Sequence, residues 1–271
     1  LNATDKAALS ENDQMSYDIL MWECNTALEG LKFNDHLMPI NQFWSTPLLI
    51  GQLASGSSLQ PFKTVKDYDN WLSRLDAYII WCDTAIANMK KGMATGYVIP
   101  KSLTLKVIPQ MASLDHGPVE EHLFYGPVKL MPSDFPEEEK QRLTVAYSEM
   151  ISNKIIPAYR EMHDFLKNEY LSASRESSGI ADIPNGKEYY QYLIKLYTTT
   201  EMTAEEIFRL GKSEVERISG EMETVKQRAN FSGSLEQFMQ FLRTDPQFYA
   251  KTPRELQTYS AYVSKKPDHK L

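Results

Sequence analysis

The sequence is poor in cysteine, has no excess of positive charge and contains no long apolar run. Each lack excludes something. The only cysteines are Cys24 and Cys82, and they do not have metal-ligand spacing. Each falls on the apolar stripe of a predicted helix, so they are either buried free thiols or a disulfide joining two helices. The net charge of -7, with no basic cluster carrying interleaved aromatics, argues against a nucleic-acid binder. No apolar run is long enough to span a bilayer. The chain begins at Leu1 without a signal peptide, which is no evidence for the cytosol.

Catalytic signatures are missing too. None of the five histidines lies in H-E-x-x-H: His36 is followed by Leu, His116 by Gly, His122 by Leu, His163 by Asp and His269 by Lys. There is no G-x-S-x-G elbow and no phosphate-cradling glycine loop. No solenoid-type repeat occurs.

What is present is helical periodicity. The 271 residues are 42% hydrophobic and 24% charged, ordinary for a globular chain of one large or two modest domains. Period-two alternation is rare, so the fold class is all-α. Asp13 to Leu31 reads as a first helix with Tyr17, Leu20, Cys24 and Leu28 on one face. Residues 33–56 read as irregular, because Pro39, Pro47 and Gly51 interrupt them. Thr64 to Asp67 starts a long helix. Its stripe of Val65, Tyr68, Leu72, Leu75, Ile79, Cys82, Ile86, Met89 and Met93 requires a long helical partner. A short helix follows from Ser102 to Leu114, bent or shortened by Pro109. Another long one runs from Glu137 to about Leu171, which Pro157 must kink or divide. The polar residues 172–183 read as a linker between helical regions 1–171 and 184–271.

The stretch from Ile183 to Val225 organises the rest. Pro184-Asn185-Gly186 is a turn in which Gly is free to take positive φ. A Tyr-rich helix ends at Thr198, Thr199 and Thr200, since successive β-branched residues fit poorly in a helix. Thr203 and Glu206 form a capping box. Beyond it Gly211, Val215, Ile218, Met222 and Val225 form a seam for lengthwise packing on another helix, with Gly211 permitting close approach. Two further helix starts are signalled, at Ser234 to Gln237 and at Thr252 to Glu255. A polar end follows from Ser264 to Leu271.

The most chemically loaded stretch is the loop from Asp115 to Pro127, with two histidines, three carboxylates and a tyrosine between Gly-Pro dipeptides. It is a solvated or helix-end loop, a substrate-lining loop or a metal loop. The three threonines are helix caps or ligand contacts. The residues alone assemble no complete catalytic set.

Several segments together resemble a known family. They are IPNGKEYY (183–190), Tyr197-Thr198-Thr199-Thr200, Thr203 to Ile207, Leu210-Gly211 and Glu214 to Ile218. Upstream, Phe43 to Phe62, Tyr68 to Leu75, Gly96 to Pro109 and Lys154 to Tyr159 fit as well. These resemble the bacterial domain of unknown function 885 family, whose members are taken for zinc metallopeptidases and are often envelope lipoproteins. The resemblance covers nearly the whole chain. It implies a helical amino-terminal half, with the zinc-binding H-E-x-x-x-G-H segment in the carboxy-terminal half. It departs from many relatives at Tyr197, where they carry His.

The expectations are therefore these. The architecture is all-α, with long antiparallel helices and irregular Gly/Pro-rich loops, as the amino-terminal part of a longer protein. That protein is a zinc-dependent metallopeptidase whose metal ligands lie outside this chain; the chain itself holds no cofactor and is inactive alone. It forms a cleft wall with His116, Glu120, His122, Tyr125, Tyr197, Thr198 and Thr199. Its partners are its own carboxy-terminal half and a peptide substrate, with no nucleic acid. It is periplasmic or envelope-bound, touching the membrane only through a lipid anchor outside this chain. The alternatives are a non-catalytic envelope binding module and an interaction scaffold using the Val65 to Met93 stripe.

Overall fold

A computed structural model describes residues 1–268. The last part of the polar stretch 264–271, His269 included, lies outside the described residues. The described chain is all-α, with no strand. It falls into two compact units, Leu1–Thr200 and Glu201–Leu271.

In the first unit, α1 spans Glu11–Gly30, α2 Thr46–Ala54, α3 Val65–Thr95 and α4 Lys101–Ala112. Helices α5 (Glu137–Met150) and α6 (Ile156–Phe165) follow, and α7 is Gly186–Thr198. The capping box of α3 is present: Thr64 Oγ1 accepts from the Asp67 amide, and Asp67 accepts from the Thr64 amide at 2.8 Å. Gly96, at φ 84, closes the helix in the left-handed region that glycine reaches without strain.

The α3 stripe is the core. Tyr68, Leu75, Cys82, Ile86 and Met89 are buried, joined by Trp71 and Tyr78. Each such side chain contributes about 1.5–3 kcal/mol of burial. The partner is the helical run of α5 and α6. Tyr147 donates to the Tyr68 carbonyl, Arg142 pairs with Asp69, Lys154 with Asp76 and Lys90 with Glu169. These pairs advance together, so the two long helices lie side by side in the same direction. Helix α4 makes the return. Thr104 meets Ser174, while Asp115, just beyond α4, meets His163, so α4 runs antiparallel to α6. The stripe is thus covered within the fold and is not a docking face.

The helical run from Glu137 continues through Pro157 and is not divided there. Ile151–Ile155 forms one π-helical turn, and the Ile156 amide reaches back to Ile151. The wider turn sits where the proline ring would otherwise press on the preceding backbone. A second π turn spans Leu166–Tyr170.

Other expectations are corrected. Residues 33–56 are not wholly irregular, because Pro47 sits in the first turn of α2 and there opens the helix instead of breaking it. The α1 face of Leu20, Cys24 and Leu28 is exposed, and that helix buries Thr26 instead. Cys24 is consequently an exposed thiol, Cys82 a buried one, and no disulfide joins them. In the 184–186 turn it is Asn185, not Gly186, that takes positive φ. Gly186 is needed for another reason: a Cβ there would lie 2.2 Å from the Ile180 carbonyl oxygen. Residues 172–183 are tied down by Arg175, whose guanidinium donates to the carbonyls of Val98, Ser177 and Gly179.

In the second unit, α8 is Ala204–Arg228, α9 Leu235–Thr244 and α10 Pro253–Asp268. The Thr203–Glu206 and Ser234–Gln237 capping boxes both form. Phe231, Phe238, Phe241 and Phe248 make the aromatic centre. The α8 seam is only partly used. Ile218, Met222 and Val225 face a hollow shared with α9, whereas Val215 is exposed and nothing approaches Gly211 within 4 Å. The close helix crossing expected at Gly211 is absent among the described residues. No helix among them is long and apolar enough to cross a membrane.

Candidate functional site

The loop that follows α4 owes its shape to a few local rules. Ser113 closes α4, its hydroxyl donating to the Gln110 carbonyl at 2.7 Å. Gly117 turns the chain at φ 102, a conformation that favours glycine. Two short 3-10 turns follow, Val119–Glu121 and Leu123–Tyr125. At the far end Gly126 packs so tightly on the end of α2 that a Cβ would lie 2.2 Å from the Ser55 carbonyl. The loop is therefore pinned at both ends.

Asp115 is its anchor. One carboxylate oxygen accepts from His116 Nδ1 at 2.5 Å and the other from His163 Nδ1 at 2.7 Å. Its carbonyl accepts from Arg160 Nη2 at 2.9 Å. The Asp115 side chain is 11% exposed, and that of His163 17%. Burial pushes the Asp115 carboxyl up, but hydrogen bonds and charge from the two imidazoles outweigh it and hold it below the usual range. His116 is different. Its ring is 72% exposed and is fixed only from behind by Asp115.

His122 is occupied by its own backbone. Nε2 donates to the Leu114 carbonyl at 3.1 Å, and Nδ1 accepts from the Phe124 amide at 3.4 Å. Burial is the largest effect on it and pushes its pKa down, so the ring is neutral and caps the 123–125 turn.

A hollow of about 530 Å³ opens beside these residues, with His116, Glu121, His122, Leu114, Pro118 and Leu123 in its walls. Glu120 is exposed outside it, and Tyr125 packs against the core. The Tyr197 to Thr199 corner belongs to another neighbourhood, at the end of α7. Tyr192 of that helix donates to the Thr26 carbonyl, and Lys195 pairs with Glu29, both on α1. Tyr197 is 80% exposed. Thr198 donates to the Ile194 carbonyl, and Thr199 closes the helix at φ 57.

Sequence reasoning counted Asp115 and Glu121 among the loop's carboxylates without choosing them as cleft-lining residues, and it missed His163. His163 and Asp115 lie 48 residues apart, and no local spacing links them. A signal did exist, since His163 falls on the inward face of α6 with Tyr159 and Met162.

The residues here do not fit a zinc ion. Among the described residues, no group of three or more His, Cys, Asp or Glu side chains is placed to hold a metal. In the 115–163 cluster the Nδ1 atoms are committed to one carboxylate.

No curated protein matches the chain. A solved structure of a putative lipoprotein from Colwellia psychrerythraea is similar in fold, with a TM-score of 0.71 at 24% identity. The match covers 83% of this chain but 40% of that one. The family model described as bacterial protein of unknown function (DUF885) matches residues 1–271. The chain belongs to this bacterial family.

Proposed function

We propose that this chain forms one wall of a peptide-binding cleft in a zinc-dependent peptidase whose metal ligands lie outside these 271 residues, in a carboxy-terminal half that is its partner. The observation that carries this is the hollow at 113–123, where an exposed imidazole is held from behind by a buried Asp–His pair. A group fixed in orientation yet open to solvent suits ligand contact, because its ordering cost is met before binding. The metal itself has no ligands in this chain, so the chain contributes binding and not bond cleavage. The length of the similar lipoprotein, of which the match covers 40%, agrees with a larger working unit. That relative also supports an envelope location with a lipid anchor outside the chain.

The test is hydrolysis of a peptide by the full-length protein, with and without a zinc chelator. His116→Ala is expected to lower kcat/KM about 2- to 10-fold, the worth of one hydrogen bond. Unchanged kinetics would remove the loop from the cleft. His122→Ala is less informative, because that ring also supports the backbone.

The second reading is a non-catalytic envelope binding module that uses the same hollow to hold a peptide. Saturable peptide binding by full-length protein without any turnover would select it.

A further inference from the structure

Helix α8 carries a regular seam that stays open. Phe208, Gly211, Val215, Ile218, Met222 and Val225 follow one another at steps of three, four, three, four and three residues. That is the spacing by which one helix packs lengthwise on another. Phe208 is 64% and Val215 65% exposed, Ile218 and Val225 are exposed as well, and nothing comes within 4 Å of a Cβ built at Gly211. Toward the end of the seam lies a hollow of about 290 Å³, walled by Ile218, Met222 and Val225 of α8 and by Phe238, Met239 and Leu242 of α9. Among the described residues its walls are apolar apart from Glu221.

The order of these steps reads the same from either end, so the seam is its own complement when a second copy runs antiparallel. In a pair centred between Glu216 and Arg217, Val215 faces the partner's Ile218, Gly211 the partner's Met222 and Phe208 the partner's Val225. The sizes match. The residue without a side chain meets the long, adaptable methionine, and each Phe208 ring lies over the other copy's hollow. Charge selects the direction. Glu205 and Glu206 occupy the first turn of α8, and Lys226 and Arg228 its last. Antiparallel copies lay the acidic turn of one beside the basic turn of the other and oppose the helix dipoles, whereas parallel copies would set like charge beside like. On the flank Glu214 comes near the partner's Glu221, and Arg217, paired with both glutamates of its own helix, offsets that repulsion. We infer that α8 pairs antiparallel with α8 of a second copy of this chain, the partner's Phe208 closing the hollow between α8 and α9. The pairing lies wholly in the second unit and is independent of the peptide cleft.

Sedimentation of the 271-residue chain tests this with two single variants, Val215→Glu and Ile218→Lys. Both positions are exposed, and circular dichroism checks that each variant keeps its helix content. The wild type is expected to sediment as a concentration-dependent dimer. Each variant alone sets an unpaired charge in the apolar seam and should weaken the dimer at least about tenfold. Mixed in equal amounts, the two variants place the new carboxylate opposite the new ammonium, while the other central layer stays apolar. Dimers should then return as mixed species, a rescue that a parallel register cannot give. A wild type that is monomeric up to about 100 μM overturns the inference. So does a dimer that either variant leaves intact, or a pair of variants that dissociate without rescue on mixing. The same runs are made on the full-length protein. A dimer there that both variants weaken supports the inference; a monomer overturns it and leaves the seam to the carboxy-terminal half.

Discussion

Replacing Asp115 by alanine removes two hydrogen bonds of unequal worth. The one from His163 is largely shielded, with 17% and 11% of the two side chains exposed. A buried hydrogen bond to a charged group contributes about 1.5–3 kcal/mol. The one from His116 involves a ring that is 72% exposed, and it contributes about 0–1 kcal/mol after solvent screening. The expected loss is therefore about 1.5–4 kcal/mol near neutral pH. The pH dependence has a definite sign. The folded carboxyl lies below its ordinary value, so its contribution is complete above the unfolded value of about 3.9. It is lost as pH falls through the lowered folded value. Urea titration followed by tryptophan fluorescence reads this cleanly, because all tryptophans (Trp22, Trp44, Trp71 and Trp81) lie in the first unit. The gap between wild type and Asp115→Ala should be full near pH 7 and shrink toward pH 3. A gap under about 1 kcal/mol near neutrality, or one as large in acid, would refute the argument.

Further outcomes follow from the packing. Gly92→Ala would put a Cβ 2.4 Å from the Tyr97 carbonyl oxygen and 2.9 Å from that of Leu37. Because both obstacles are backbone, it should cost roughly 3 kcal/mol in the same urea assay. Gly211→Ala meets nothing within 4 Å and should instead stabilise α8 by up to about 1 kcal/mol, read by circular dichroism on melting. Tyr159→Phe deletes a buried hydroxyl that donates to the Pro47 carbonyl at 2.8 Å, and should cost about 0.5–1.5 kcal/mol. Burial pushes the Cys82 thiol up to about 11, while Cys24 is exposed. A thiol reagent should therefore modify Cys24 in the native chain and reach Cys82 only after denaturation.

Local rules made much of the fold legible. The boxes at Thr64, Thr203 and Ser234 each need only residues three apart, and all three form. The α3 stripe named its own need for a long partner, and the α5–α6 run supplies it. What stayed hidden depends on chain segments far apart. The stripe of α1 reads as buried, yet Leu20 and Leu28 are exposed. Periodicity marks which residues share a face and is silent on whether a partner arrives. The same limit explains Gly211 on α8. In the candidate site, His116 and the hollow's loop were visible, but the residue that orients His116 is its own neighbour Asp115, and the second ring on that carboxylate comes from α6. His122 looked like a ligand contact in sequence, and the backbone geometry that satisfies both its nitrogens is visible only once the loop is folded.

The π turn at Ile151–Ile155 bears on what changes in length this helix survives. In an ordinary α-helix, deleting one residue rotates everything beyond it by about 100°. Such a deletion in α6 ahead of His163 would swing that ring away from Asp115. A π turn carries one residue beyond the regular count, and the flanking faces are already aligned around it. Losing one residue inside 151–155 would let the backbone close into regular helix while α5 and α6 keep their orientations. The cost then falls on Pro157, which would meet the unrelieved carbonyl of the preceding turn. Ahead of His163, this turn is where the long helix can change length without losing its phase.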